Sequence, residues 1–181
     1  MASEFFTEKD NKILSLETRK KIYDLVHRNA GIYFREIERK SKFSTGHVQY
    51  HLSHLVRSGL LKEEKIGNHV RYFPRKFADD QKKMMNLLRQ RSLRHLILFL
   101  LEHPSCHHQD LVKNMGLSPS TVSWHVKRLQ QEKVMSCEKQ GRNRIYRLLV
   151  DKKEITNLLI AYQESFFDSV VDNLIEMWEI K

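Results

Sequence analysis

The apolar positions along most of this chain follow one pattern, and they follow it twice. In "TRKKIYDLVHRN" Ile22, Leu25 and Val26 recur at helical spacing, and "FREIERKS" reads as a second, shorter helix. "TGHVQYHLSHLVRSG" is a third helix, with Val48, His51, Leu52 and Leu55 on its inner face. Ser44 stands where an N-cap belongs, and Gly59 where a left-handed residue would stop the helix. "LLKEEKIGNHVRYF" then reads as two strands about a Gly67-Asn68 turn. Further on, "LRHLILFLLEH", "QDLVKNM", "SPSTVSWHVKRLQQ" and "VMSCEKQGRNRIYRL" give the same order. There Ser118 is the cap and Pro119 takes the first helical position, where its missing N–H costs nothing.

A shift of 74 positions lays one half on the other without a gap. Ser44 falls on Ser118, Val48 on Val122, His51 on His125, Leu55 on Leu129, Gly67 on Gly141 and Tyr72 on Tyr146. Conservative pairs fill the intervals, Tyr50 with Trp124 among them. The expected organisation is a first domain over 1–77, a helical connector over 78–91, a second domain over 92–150 and a C-terminal amphipathic helix over 151–181. "ADDQKKMMNLLRQRS" reads as helix rather than flexible linker and is expected to hold the copies at a set distance. One departure is visible. Lys133 stands where the first copy has Gly59, and a lysine in a left-handed cap costs on the order of 1 kcal/mol, so the second copy is expected to end this helix differently.

Helix, helix, turn, helix, hairpin is the order of a winged helix-turn-helix. The segments "GIYFREIERKSKFSTGHVQYHLSHLVRSGLL" and "LSPSTVSWHVKRLQQEKVM" resemble the two halves of archaeal tandem winged-helix transcriptional regulators, relatives of the ArsR and MarR groups. The resemblance covers about residues 18–150. It implies a mainly α fold with small β-hairpin wings and double-stranded DNA as the partner.

Charge points the same way. Of 32 basic and 22 acidic side chains, residues 1–150 hold 29 and 15, a net of +14, so the positive charge sits on the body and the tail is acidic. A basic body attracts and steers phosphate backbones. No apolar run approaches the roughly 20 residues that span a bilayer, so no membrane partner is expected. "MASEFFTEKD" lacks the build of a signal peptide, and two cysteines make no disulfide framework; a reducing, cytoplasmic setting is expected.

In a helix-turn-helix the second helix of the motif enters the major groove. The candidates in the first copy are Ser44, Thr45, His47, Gln49, Tyr50, Ser53 and His54, and in the second Ser118, Ser120, Thr121, Ser123, Trp124, Lys127 and Arg128. Gln49 suits an adenine edge, and Lys127 or Arg128 a guanine or a phosphate. Tyr50 and Trp124 suit sugar or a thymine methyl, or else packing against the wing or the other domain. His51 and His125 share the inner face and read as structural. The wings, about 66–72 and 140–146, supply Asn68, Arg71, Arg142, Asn143 and Arg144 for the minor groove or backbone, and Arg35 adds a phosphate contact.

Residues 152–179 form the longest helical pattern and read as one helix. Leu159, Tyr162, Phe166, Val170, Leu174 and Trp178 lie on its stripe, either packed on their own chain or, as the favoured reading, forming a homodimer seam, which Phe5 and Phe6 are expected to join. A two-fold dimer suits a two-fold operator. Contacts to the transcription machinery are a further expectation.

"HPSCHHQ" packs His103, Cys106, His107 and His108 into six positions. Under the offset it overlies the ordinary turn between the first two helices, and four residues of one short turn rarely converge on a metal at about 2.0–2.3 Å. The favoured reading is a turn with no metal and no cofactor. Two other function classes stay open: a winged-helix protein-interaction module, and a metal or redox sensor using Cys106. There is no phosphate-cradling glycine loop, nucleophile elbow or paired HExxH ligand set, so no enzyme is expected.

Overall fold

The computed structural model describes residues 6–66, 69–141 and 143–166. The chain divides into two compact units, Met1–Lys82 and Lys83–Lys181.

In the first unit α1 (Glu8–Leu14) and α2 (Glu17–Arg28) lead into β1 (Ile32–Tyr33), α3 (Phe34–Ser41), α4 (Thr45–Arg57), β2 (Leu61–Ile66) and β3 (His69–Pro74). The strands form an antiparallel sheet of order β1-β3-β2, with Ile32 opposite Tyr72 and Glu63 on the other side of Tyr72. The core is the helical stripe read from the sequence, Ile22, Val26, Ile37, Val48, Leu52 and Leu55, closed by Leu60, Leu61 and Tyr72. Next comes α5 (Asp79–Leu88), which contains the boundary between the units. The second unit continues with α6 (Arg91–Glu102), β4 (Cys106–His107), α7 (His108–Met115), α8 (Pro119–Gln131), β5 (Met135–Gln140), β6 (Asn143–Leu148) and α9 (Lys152–Ala161). Its sheet order is β4-β6-β5, and Leu93, Leu96, Leu100, Leu111, Val122, Val126 and Leu129 are buried.

The repeat is stricter than the residue identities indicate. From α2 onto α6 through β3 onto β6, every element of the first unit maps onto its counterpart with both ends displaced by the same 74 positions. Both hairpins are followed by a ten-residue helix, α5 and α9.

Several expectations need correction. The Lys133 helix does not end differently. After α4, Leu60 N–H bonds to Leu55 carbonyl at 3.0 Å and Gly59 N–H to Val56 carbonyl at 2.9 Å. After α8, Val134 N–H bonds to Leu129 carbonyl at 2.9 Å and Lys133 N–H to Gln130 carbonyl at 3.0 Å. Both are Schellman closures with a buried hydrophobic pair beneath. Lys133 takes the left-handed backbone at φ 58°, as Gly59 does at 74°. The C-terminal pattern is not one helix through residue 179. α9 stops at Ala161, and Ser165 and Phe166 donate to the carbonyls of Tyr162 and Gln163, three residues back. That turn brings Phe166 into a buried position 5.4 Å from the Arg94 guanidinium, inside its own unit rather than on a free seam. Phe6 likewise packs on the first core, edge-on to Tyr23 at 5.8 Å. Phe5, Val170, Leu174 and Trp178 lie outside the described residues, while Leu159 and Tyr162 are half-buried.

Candidate nucleic-acid interface

Each unit presents one helix whose inner stripe is sunk in the core and whose outer face is open. In α4 the stripe Val48, Leu52 and Leu55 is buried, and Ser44, Thr45, His47, Gln49 and Tyr50 are exposed, with Ser53 and His54 half-buried. In α8 the stripe Val122, Val126 and Leu129 is buried or nearly so, and Ser118, Ser120, Thr121, Ser123, Trp124 and Lys127 are exposed. The two helices start differently. Ser118 Oγ accepts from Thr121 N–H at 3.2 Å and lies within 2.9 Å of the Ser120 and Thr121 hydroxyls. Ser44 holds the N-cap backbone geometry but makes no side-chain cap bond.

The polar faces differ too. On α4, Gln49 Nε2 donates to Ser53 Oγ at 3.3 Å, and the outer turns carry histidine rather than lysine. On α8, Arg128 is partly engaged: its guanidinium donates to Gln90 Oε1 at 2.8 Å and lies 5.7 Å from the Trp124 ring centre. Lys127 is the exposed cation of that face. Ser123 donates to the Pro119 carbonyl at 2.8 Å and sits 3.4 Å from His108 Nε2.

His51 and His125 back the faces as expected of structural residues. Burial depresses both ring pKa values, with the positive charges of Arg19 and Arg128 respectively adding to the effect. His54 is lowered for the same reasons, burial first and Arg19 next. Depressed values favour neutral rings, so these three add little positive charge at neutral pH.

The wings give one correction. Arg71 is not offered to solvent: its exposure is 4 %. Its Nη1 donates to the Gly31 carbonyl at 2.9 Å, its Nη2 meets the Tyr33 hydroxyl, and its guanidinium lies 4.0 Å from the Tyr33 ring centre. Strand register causes this, since β3 pairs Arg71 with Tyr33 of β1 and its side chain turns inward. In the second hairpin Arg144 is exposed and pairs across the strands with Lys139. Asn143 opens β6; Asn68 and Arg142 lie outside the described residues. Arg35 is exposed on α3.

The residues of "HPSCHHQ" have separate surroundings. His103 stacks on Phe99 with ring centres 4.3 Å apart. Cys106 is buried in β4, and burial pushes its thiol up to about 11. His107 is the N-cap of α7, its N–H bonded to Asp110 Oδ2 at 2.7 Å, and His108 reaches Ser123 and the Tyr146 hydroxyl. Cys106 and Cys137 both pair with Tyr146, from opposite sides, so a strand stands between them. Two interstrand spacings, about 9–10 Å, exceed what a disulfide bridges. Among the described residues, no group of three or more His, Cys, Asp or Glu side chains is placed to hold a metal ion. No helix of the described residues is long and apolar enough to cross a membrane.

Comparison with known proteins matches residues 16–85 to a family described as an N-terminal HTH domain, and residues 89–134 to one described as winged helix-turn-helix DNA-binding. An uncharacterized HTH-type transcriptional regulator of Methanocaldococcus jannaschii is 26 % identical over 139 residues, 76 % of this chain. The chain spans only 34 % of that relative's length. Among solved structures, HlyU from Vibrio cholerae matches with a TM-score of 0.41 at 15 % identity, over 49 % of this chain and 94 % of that one. An ArsR family transcriptional regulator matches with a TM-score of 0.35 at 17 % identity, over 57 % and 94 %. This chain carries two tandem helix-turn-helix domains, the second of the winged DNA-binding kind, and is similar to an archaeal HTH-type transcriptional regulator.

Proposed function

We propose that the chain is a non-enzymatic, sequence-specific regulator that binds double-stranded DNA with both copies. α4 and α8 enter major grooves, Lys127 and Arg144 meet phosphate or guanine, and the second copy supplies more of the affinity. The observation that carries this reading is the pair of open polar faces on α4 and α8, at one register and each backed by a buried apolar stripe. The net positive body adds the attraction that any duplex exerts. Leu159 and Tyr162, only half-buried beside the exposed Ile160, support a two-fold homodimer through the C-terminal region. Setting in the cytoplasm and contact with the transcription machinery follow from the same reading.

The test is fluorescence anisotropy with duplex fragments, including the chain's own upstream region, titrated with salt. A specific regulator binds one fragment at nanomolar strength, about a thousandfold or more above random duplex, with a steep salt slope. Weak, equal binding to every duplex, lost near physiological salt, refutes it.

A further inference from the structure

The two outer faces share one feature that their differing charge hides. Tyr50 and Trp124 occupy the same register and are 59 % and 57 % exposed. Each ring is met edge-on by the histidine that follows it, with centroids 5.0 Å apart and interplanar angles of 76° for Tyr50 and 72° for Trp124. His51 is buried and His125 half-buried, so each aromatic has a backstop against its helix. The neighbours one turn toward the cap include small residues, Gly46 before Tyr50 and Ser120 and Thr121 before Trp124, while His47, Ser53 and His54 flank Tyr50 and Lys127 and Arg128 follow Trp124. A side chain added at Gly46 would meet nothing within 4 Å. The ring is the large apolar group exposed on each face, about six residues or 9 Å along the helix from its cap. An exposed large aromatic has an unfavourable hydration that folding leaves unrelieved. Here it is left so twice, at one place, on the face aimed at the partner.

The polar atoms of the two rings do not coincide. Tyrosine carries its hydroxyl at the far end, and tryptophan its N–H on the edge of the five-membered ring. The shared property is the apolar ring. In the major groove the base edges are donors and acceptors, and the single apolar element is the thymine C5-methyl group. Resting on the DNA-binding reading above, we propose that Tyr50 and Trp124 are specificity-determining residues that read thymine methyl groups, one contact zone per copy.

The test changes the DNA and leaves the protein intact. Duplexes are selected from a random-core library by the full chain, then amplified with either dTTP or dUTP. Uracil keeps every hydrogen-bonding group and loses only the methyl. Each methyl removed from a ring contact should weaken binding about fourfold, and two such contacts about fifteenfold. Tyr50→Phe and Trp124→Phe should keep the preference for the thymine pool. The double variant Tyr50→Ala, Trp124→Ala should bind both pools equally, with its melting temperature unchanged. Equal binding of the unaltered chain to both pools overturns the proposal, as does a preference that survives in the double alanine variant. If selection enriches no duplex at all, the DNA-binding reading itself fails, and that outcome is distinct from the other two.

Discussion

Each unit has two left-handed helix ends, and the two copies fill them in opposite ways. Lys42 ends α3 at φ 60° where the second copy has Gly116 at 62°; Gly59 follows α4 at 74° where the second copy has Lys133 at 58°. An L-residue with a Cβ is disfavoured there by roughly 1–2 kcal/mol. Replacing lysine by glycine removes that cost but gives freedom back to the unfolded chain, about 0.4–1 kcal/mol. The difference leaves Lys133→Gly more stable by roughly 0.8 kcal/mol, or about 3–6 °C in the midpoint of a domain this size. The control is Lys133→Ala, which removes the charge and keeps the Cβ, and should gain nothing. The reverse change, Gly59→Ala, should lose about the same amount. A Cβ at Gly59 meets no atom within 4 Å, so only backbone conformation is charged against it. Thermal and urea unfolding of the full chain, followed by circular dichroism, measure all three. A gain in Lys133→Ala equal to that in Lys133→Gly would refute the backbone argument and point to the lysine's charge instead.

Three other outcomes are expected. Arg71→Ala should cost about 2–3 kcal/mol of stability by leaving buried partners unmet, with no change in the salt slope of DNA binding, whereas Arg144→Ala should lower that slope by about one. The Arg75 guanidinium, 2.7 Å away, is first among the causes that hold the Asp10 carboxyl at about 2. Its contribution is therefore complete above the unfolded carboxylate value near 3.9 and is lost as pH falls through about 2, so the stability gap between the wild type and Asp10→Asn should close between pH 4 and pH 2. In native protein at pH 8, iodoacetamide should label Cys137 and spare Cys106, whose thiol is held near 11; mass spectrometry after labelling in urea should find both modified.

The helices and hairpins were legible because each buries a stripe long enough to impose its period. Two-residue strands impose none, so β1 and β4 are invisible in the pattern and appear only as the third strand of each sheet. α1 had a readable signal in Thr7 and Asp10, which satisfy each other's backbone N–H groups as a capping box ahead of Ile13. Arg71 was misplaced because proximity to a turn does not say which face of the strand a side chain takes; pairing with Tyr33 decides that. The break after Ala161 was hidden for the opposite reason. Apolar spacing continues across it, while bonds from Ser165 and Phe166 to carbonyls three residues back turn the chain onto Arg94.

A displacement of 74 positions kept at both ends of every element from α2 and α6 to β3 and β6 means that neither copy has gained or lost a residue over that stretch. Side chains have therefore diverged on an unchanged frame, and each difference can be assigned to its place. In the sheet, the Arg71–Tyr33 stack of the first unit gives way to Ile145 and an exposed His107, a change that alters packing. On the open faces, Gln49 and Ser53 stand opposite Ser123 and Lys127, which changes the groups a groove would meet. A duplicated frame that served stability alone would have no reason to keep an exposed aromatic at one register while the polar residues around it vary. On the proposed function, that contrast, constant ring and varied rim, fits rings that read a feature common to both half-sites and a rim that reads whatever differs between them.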